Sequence, residues 1–253
     1  MKKAIDRGLV LLNGEIANTG DFVFGGETVE LLEDTLKVRP NIELKLEVIY
    51  EDEHLAVINK PAGIEVSGNK KWTLENALSF NLKQSSELDA LKFPEPVHRL
   101  DYPTSGTILI GKTSTALIKI NKIFEERNSE RIYHAVTIGK MEPEGTIELP
   151  IDEKASKSAF TVLATIPSER FGFLNLVRLE PHTGRRHQLR KHLSEIDHPI
   201  LGDRVYGTEG SILCGKGLYL HASSLRFSHP ITEKQCFITA PMPKKFQKLF
   251  PSA

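Results

Sequence analysis

The 253-residue chain is predicted to be an α+β protein: a mixed, largely antiparallel sheet flanked by helices, with a small unit at its N-terminus. Segments with the two-residue periodicity of strands outnumber segments with helical spacing. Most of the connections between them are short, which suits antiparallel neighbours. A charged stretch at residues 33–47, which includes Pro40, indicates a linker. We therefore expect a small unit over residues 1–45 and a main domain over residues 46–253.

Composition places the chain among ordinary globular proteins. Hydrophobic residues make up 40% and charged residues 26%. No apolar run approaches the roughly 20 residues of a membrane helix, and the N-terminus lacks the apolar core of a secretory signal. The cysteines, Cys214 and Cys236, match no metal-binding or redox spacing, so we expect reduced thiols. These features predict a cytoplasmic protein without a membrane partner.

Charge permits nucleic-acid binding without arguing for it. The chain has 33 basic and 33 acidic residues, whereas nucleic-acid-binding domains usually carry a basic excess. The distribution is more informative than the sum, because residues 181–192 contain no acid. Four permanent cations lie in that segment: Arg185, Arg186, Arg190 and Lys191.

The first 32 residues predict a helix end followed by a small antiparallel sheet. Gly8 ends the helical segment at residues 2–7, and a strand follows at residues 9–12. The dipeptide Asn13-Gly14 is a strong signal for a two-residue hairpin. A second turn at Gly25-Gly26 leads to a strand at residues 28–32.

The main domain opens with two strands, at residues 46–50 and 55–60, joined by a turn and ended by Pro61. Thr73 is a predicted cap for a helix with apolar residues on one face. After a strand at residues 107–110, Ser114 is the predicted cap of a second amphipathic helix. Its apolar face contains Leu117, Ile120, Ile123 and Phe124.

The second half of the chain continues with strands and two helices. A strand is predicted at residues 131–138, followed by a strand pair at 160–166 and 173–179. A helix is expected at residues 187–195, two more strands at 218–227 and 235–238, and a closing helix at 242–250.

Residues 96–106, with the sequence PVHRLDYPTSG, form the segment richest in reactive groups. Asp101 lies where this turn-rich loop enters a strand, a position that exposes a carboxylate while a rigid strand supports it. From spacing alone, the alternative that Asp101 and Thr104 only make turn hydrogen bonds is favoured.

The motifs together resemble those of the RluA family of RNA pseudouridine synthases. His98-Arg99-Leu100-Asp101 followed by Thr104-Ser105-Gly106 is one match, and residues 183–193, TGRRHQLRKHL, are a second. Tyr133 within RIYHAV is a weaker third match, and residues 60–63, KPAG, resemble another family segment. The motifs occur in the family's order. The resemblance implies the pseudouridine synthase fold and an isomerase that converts uridine in RNA to pseudouridine.

The resemblance also implies residue roles. Asp101 would be the catalytic nucleophile, Arg190 the cation that keeps it charged, and Tyr133 an active-site ring that either stacks on uracil or accepts a proton. A surface ion pair remains the alternative for Asp101 and Arg190. Arg99 would enter the RNA stem when the uridine leaves it, although a phosphate contact is nearly as plausible. The expected RNA-binding residues are Arg99, His98, Arg185, Arg186, His187 and Lys191.

Neither a cofactor nor a metal is expected. The isomerisation is redox-neutral, and the histidines at 182, 187 and 192 are five residues apart rather than the three or four that a helical zinc site prefers. The expected partner is structured RNA, either tRNA or rRNA, bound by a monomer. A non-catalytic RNA-binding or ribosome-assembly factor derived from a synthase is the alternative from another functional class.

Two features favour different RNAs. Residues 99–106 and 184–188 look closest to the tRNA-acting TruC branch of the family. The N-terminal unit resembles the end of the alpha-L (S4-like) RNA-binding fold, which favours the ribosomal branch. It lacks the first helix and most of the second, so docking onto the main domain and RNA binding are equally plausible for it.

Overall fold

The protein is described by a computed structural model that covers residues 2–6, 8–32, 39–208, 210 and 215–251, with only the backbone of Lys2 and Lys3. The chain divides into two compact units, Met1–Pro40 and Asn41–Ala253. Ile42 and Leu46 are buried in a core of the larger unit. The first six residues of the predicted linker, 33–38, lie outside the described residues, as does Cys214.

The small unit is an antiparallel sheet preceded by one helical turn. Its elements are α1 (Lys2–Ile5), β1 (Val10–Leu12), β2 (Glu15–Ile16) and β3 (Val29–Leu31), and β1 lies between the other two strands. Asn13 and Gly14 form the predicted two-residue hairpin, with positive φ angles of 53° and 84°. Both central residues of this turn type need positive φ, which Asn and Gly adopt at low cost.

The larger unit contains a ten-stranded sheet with the central order β4-β5-β7-β12-β8-β11-β10-β9. β6 pairs with β7 and β13 with β12. Every described pairing in it is antiparallel except that of β7 with β12. The predicted α+β fold with a largely antiparallel sheet is therefore confirmed.

The strands of this sheet vary from eight buried positions in a row in β7 to the half-exposed β13. They are β4 (Glu47–Glu51), β5 (Leu55–Lys60), β6 (Ala90–Pro96), β7 (Ser105–Thr113), β8 (Glu130–Ile138), β9 (Glu144–Ile147), β10 (Ser158–Ser168), β11 (Gly172–Pro181), β12 (Leu220–Ser228) and β13 (Gln235–Thr239). The helices are α2 (Leu74–Asn81), α3 (Ser114–Glu125), α4 (Gln188–Glu195) and α5 (Lys244–Leu249).

The strands β5 and β7 are covered on both faces. Ala56 and Ile58 pack with α2 on one face, whereas Leu55 and Val57 pack with Ile120 of α3 on the other. Successive side chains of a strand point to opposite faces, so a strand buried on both sides must be apolar throughout. A further core lies under β8 and β11, where α4 and α5 contribute Leu193 and Phe246.

Gly106 fixes how the strand after Asp101 meets β12. Its φ angle is +118°, and a side chain there would collide with the backbone carbonyl of Ala222. The two residues are partners in the parallel pairing. Only glycine allows this close approach, which places the start of β7 against the centre of the sheet.

Some local predictions were wrong. Thr113, not Ser114, caps α3, because its Oγ1 accepts a hydrogen bond from the Ala116 N–H at 3.3 Å. The strand β6 was missed because it contains Pro94 and Pro96, which argue against a strand. The short edge strand β9 was also missed, and α5 is shorter than predicted. Among the described helices, none combines the length and apolar character needed to cross a membrane.

Candidate active site

A cavity of about 430 Å³ lies where the loop before β7, the strand β8 and the start of α4 meet. Its wall includes Asp101, Tyr133 and Arg190, so three distant motifs of the sequence converge on one space. Polar groups converging in a concave pocket are the usual form of a binding or catalytic site.

Asp101 lies on this wall with its side chain 16% exposed. The neighbouring Leu100 is buried in the core and anchors the loop, and the Thr104 N–H donates to the Asp101 carbonyl at 3.0 Å in a turn. The turn hydrogen bonds considered as an alternative therefore exist, but they involve the backbone of Asp101. Its carboxylate is left facing the cavity.

Arg190 joins two carboxylates. Its Nη1 donates to Asp101 Oδ2 at 3.2 Å, across 89 positions of sequence. Its Nε and Nη2 donate to Asp203 Oδ2 and Oδ1 at 2.7 and 2.8 Å, which is the two-donor fork that suits a carboxylate. The guanidinium also lies 5.0 Å from the ring centre of Tyr206. Arg190 is thus oriented mainly by Asp203, and its Nη1 is directed at Asp101.

Asp203 is the functional residue that sequence reasoning missed. Arg190 and Asp203 are 4% and 1% exposed. Burial alone would raise the pKa of Asp203, but hydrogen bonds from Arg190 and from the backbone N–H groups of Val205 and Tyr206 lower it below its usual value. In the sequence, Asp203 is marked only by its position at the end of the segment HPILGD, which follows the second motif. That position does not indicate that Arg190 is its partner.

Lys60 is a second buried cation near the loop, and its role was also missed. Its ammonium donates to the carbonyls of Pro61, Ile64 and Tyr102 at 3.0, 2.9 and 3.4 Å. Burial lowers its pKa to about 8, and the negative charge of Asp101 opposes that change. The KPAG segment therefore does more than form a turn, because Lys60 ties it to the backbone that follows Asp101.

Tyr133 stands on β8 and packs against two of the cores while facing the cavity. Burial raises the pKa of its hydroxyl, Arg131 opposes this rise, and the charge of Asp101 adds to it. The phenol is therefore neutral at pH 7 and a weak proton acceptor. Its ring is available as a flat wall of the cavity.

His187 and His98 are held by protein contacts. His187 begins α4 with a φ angle of +56°, and its Nδ1 lies 2.9 Å from the Tyr206 hydroxyl. Its Nε2 is 3.7 Å from Asp101 Oδ1, and burial lowers its pKa. His98 Nε2 accepts from the Leu109 N–H at 3.1 Å, and its ring stacks on Phe124. That arrangement supports the loop and does not favour His98 as an RNA contact.

The other predicted cations fall into two groups. Arg99, Arg185 and Arg186 line the mouth of the cavity, and the side chain of Arg99 makes no hydrogen bond or ion pair among the described residues. Lys191 instead faces the other side of α4, where it pairs with Asp152 at 2.9 Å.

Arg131 also lines the cavity, and sequence reasoning had named it only as part of a motif. Within the described part of the chain, no three His, Cys, Asp or Glu side chains are grouped to hold a metal ion.

Comparison with known proteins gives one family. The family model for RNA pseudouridylate synthase matches residues 54–195. A protein of Vibrio vulnificus named ribosomal large subunit pseudouridine synthase D is 32% identical, over 94% of this chain and 83% of that protein. The protein of the same name from Xanthomonas campestris is 34% identical over 97% and 81%.

Solved structures agree on the fold. Human RNA pseudouridylate synthase domain containing 4 matches with a TM-score of 0.64 and 25% identity, over 79% of this chain and 90% of that chain. Human RNA pseudouridylate synthase domain containing 1 matches with a TM-score of 0.66 and 24% identity, over 80% and 85%.

The stability of the Arg190→Met variant should depend on pH in the opposite sense to that of the wild type. In the wild type, the pKa of Asp203 is lower in the folded protein than in the unfolded chain. Asp203 therefore contributes stability that is fully present above its unfolded-state pKa and is lost as the pH falls through its folded-state pKa. In the variant Asp203 is buried without its cation, so its pKa should rise above the unfolded value. We expect a loss of about 3–5 kcal/mol at pH 7 that becomes smaller as the pH is lowered to 4.

The measurement is urea unfolding of both proteins between pH 4 and pH 8. Lys191→Met is the matched control, since it removes the adjacent cation of the same helix from a more exposed pair and should cost under about 1 kcal/mol. An equal loss at pH 4 and pH 7 in Arg190→Met would contradict the role of Asp203.

Proposed function

The chain belongs to the RluA family of RNA pseudouridine synthases and is an isomerase that acts on RNA, and on this premise we propose that Asp101 is its nucleophile. One observation carries the proposal: Asp101 faces the cavity and accepts a hydrogen bond from Arg190, whose own position is fixed by the buried Asp203. A positioned, charged carboxylate beside a pocket that can hold a detached base is what the reaction requires.

The isomerisation moves the ribose of a uridine from N1 to C5 of the uracil ring. The N1–C1′ bond breaks and the C5–C1′ bond forms, while one proton leaves C5 and one joins N1. The atoms and electrons balance without an oxidant or a reductant. The protein has to supply a nucleophile, a site for the detached uracil and a route for one proton.

The charges around Asp101 support its role. The guanidinium of Arg190 lies 3.2 Å from the Asp101 carboxylate and places a positive charge beside it. Arg190 and Asp203 are almost fully buried, which strengthens electrostatic interactions relative to those in water. Because Asp203 occupies the fork of Arg190, the side chain is ordered before RNA arrives. Such preorganisation spares the reaction the cost of arranging the charges.

Tyr133 is proposed as the surface on which uracil lies, with its hydroxyl neutral. Its raised pKa makes it a weak base at pH 7, so stacking fits its position better than proton removal. Aromatic rings commonly stack on nucleobases that have left a helix. Arg131 lines the same cavity and is placed to contact the carbonyl oxygens of the base.

The proposed RNA is ribosomal, and the proposed state is a monomer in the cytoplasm. The relatives from Vibrio vulnificus and Xanthomonas campestris are named for the large ribosomal subunit, and they match nearly the whole of this chain. The motif likeness to the tRNA-acting branch makes tRNA the second candidate.

The RNA contacts are proposed for the main domain, at Arg99, Arg185 and Arg186. These cations surround the mouth of the cavity. By contrast, residues 8–32 of the small unit include four acidic residues and no Lys or Arg. That composition is unfavourable for binding phosphates.

Replacement of Asp101 by Asn should abolish turnover and leave RNA binding intact. Asn keeps the shape of the side chain and removes its charge, so we expect a loss of about 10³-fold or more. Release of tritium from RNA labelled at uracil C5 measures turnover, and filter binding measures affinity. Asp89→Asn, an exposed carboxylate that accepts from the Thr115 N–H, is the matched control and should behave as wild type. Turnover of Asp101→Asn within tenfold of wild type would exclude it as the nucleophile.

Pseudouridine mapping should identify the RNA. Total RNA from cells with and without this chain would be compared, and we expect loss of one or a few pseudouridines confined to large-subunit rRNA. Complementation with Asp101→Asn should fail to restore them. Loss of pseudouridine from tRNA alone would contradict the ribosomal assignment and favour the second candidate.

Arg99→Ala should reduce the turnover rate only on substrates whose target uridine must be extracted from a stem. Extraction costs a few kcal/mol, and a guanidinium that enters the gap offsets part of this cost. We therefore expect a loss of about 10- to 100-fold on a uridine within a stem and little loss on a single-stranded substrate. Arg226→Ala, a partly exposed arginine paired with Glu130, controls for the removal of charge. Equal losses on both substrates would indicate a phosphate contact instead.

A further inference from the structure

We propose that a second groove beside the catalytic cavity binds the nucleotide that flanks the target uridine, and that Tyr102 and Glu65 select it. The inference rests on the proposed function of the catalytic cavity. The groove has a volume of about 340 Å³ and shares Arg99, Asp101, Arg186 and His187 with that cavity. An RNA strand with its uridine at Asp101 would therefore place a neighbouring nucleotide in or next to this groove.

Tyr102 is an exposed ring on a fixed backbone. Its side chain is 56% exposed, although it directly follows Asp101. Its carbonyl accepts from the Gly63 N–H at 2.8 Å and from the buried ammonium of Lys60 at 3.4 Å. A large aromatic ring left in solvent on an ordered support loses little entropy when a base stacks on it. Stacking of this kind tolerates any base, because every base has a π face.

Glu65 faces the same groove with one oxygen available. Its Oε1 accepts from Lys70 at 2.7 Å, while Oε2 has no hydrogen-bond partner among the described residues. Its main chain is held by the Leu74 N–H, which donates to the Glu65 carbonyl at 2.8 Å. The carboxylate is thereby oriented by its neighbours.

An ionised carboxylate only accepts hydrogen bonds, so it favours bases with an exocyclic amino group. Adenine, cytosine and guanine have one. Uracil offers only its N3–H between two carbonyl oxygens, which repel a carboxylate.

Arg186 completes the groove on the side shared with the cavity. It is exposed and lies in the stretch without acids, so it is placed to contact a phosphate between the two nucleotides. The groove therefore combines a stacking surface, an acceptor for a base edge and a cation. These are the three contacts that an unstacked nucleotide needs.

The test of Tyr102 is a double-mutant cycle between protein and RNA. Stem-loop substrates carry either a normal base or an abasic site on the 5′ or the 3′ side of the target uridine, and single-turnover rates are measured at subsaturating RNA. Tyr102→Ala should lose about 5- to 100-fold on normal RNA. On RNA that lacks the base of the flanking nucleotide bound in the groove, Tyr102→Ala and wild type should react at the same rate, because the stacking partner is already absent. Tyr102→Phe keeps the stacking ring and should restore the rate that Tyr102→Ala loses.

Phe237→Ala is the matched control, because Phe237 is 55% exposed and lies on β13 outside both cavities. It should leave all rates unchanged. Stacking on Tyr102 is excluded if the fold-loss in rate from Tyr102→Ala and the fold-loss from an abasic site are independent and multiply, whether the abasic site lies 5′ or 3′ of the uridine.

Glu65 is tested with all four bases at the flank that couples to Tyr102. Wild type should convert substrates with adenine, cytosine or guanine about 5- to 10-fold faster than those with uracil, and Glu65→Gln should narrow this difference. A preference that persists unchanged in Glu65→Gln, or is absent from wild type, overturns the role of Glu65. If wild type converts no RNA at all, the proposed function fails. If wild type converts RNA but shows no coupling, only the groove assignment fails.

Discussion

One buried guanidinium connects the scaffold to the chemistry. Arg190 gives two of its donors to Asp203 and one to Asp101, so a single cation pairs with a buried structural carboxylate and with the proposed nucleophile. Asp203 is buried more deeply, and without Arg190 its charge would have no adequate partner. The position of Asp101 consequently depends on the Arg190–Asp203 ion pair, whose loss should destabilise the fold. This linkage explains why the same side chain should affect both stability and turnover.

The loop that carries Asp101 is fixed from its other side by backbone geometry. Lys60 holds three carbonyls around the loop, and its lowered pKa reflects how completely it is removed from water. Directly after the loop, the chain enters β7, where Gly106 allows close contact with Ala222 of β12. Rigid support on both sides suits the proposed role of Asp101, because a nucleophile must be positioned within a fraction of an ångström of its target. The same contacts hold the backbone of Tyr102, whose ring is exposed.

The arginines differ in their surroundings, and their proposed roles differ accordingly. Arg190 is buried and oriented by carboxylates, Arg131 lies in the cavity wall, and Arg99 and Arg186 remain exposed at its mouth. Zero net charge for the whole chain is compatible with RNA binding, because the mouth of the cavity is locally basic while the small sheet is locally acidic. Long-range attraction of RNA therefore depends on this local field and should weaken with salt.

The sequence by itself determined the family, the α+β class and most elements, because motif order, two-residue alternation and turn dipeptides such as Asn13-Gly14 are local signals. It also named Asp101 and Arg190. Tertiary structure decided what those residues do to one another: 89 positions separate them, and only the packing of α4 beside the loop before β7 brings them to 3.2 Å. The sequence could not show that Asp203 pairs with Arg190, that Lys60 is buried against three carbonyls or that Lys191 pairs with Asp152, since each depends on which face of an element meets another. The strand β6, which contains two prolines, was missed because strand pairing overrode local propensity.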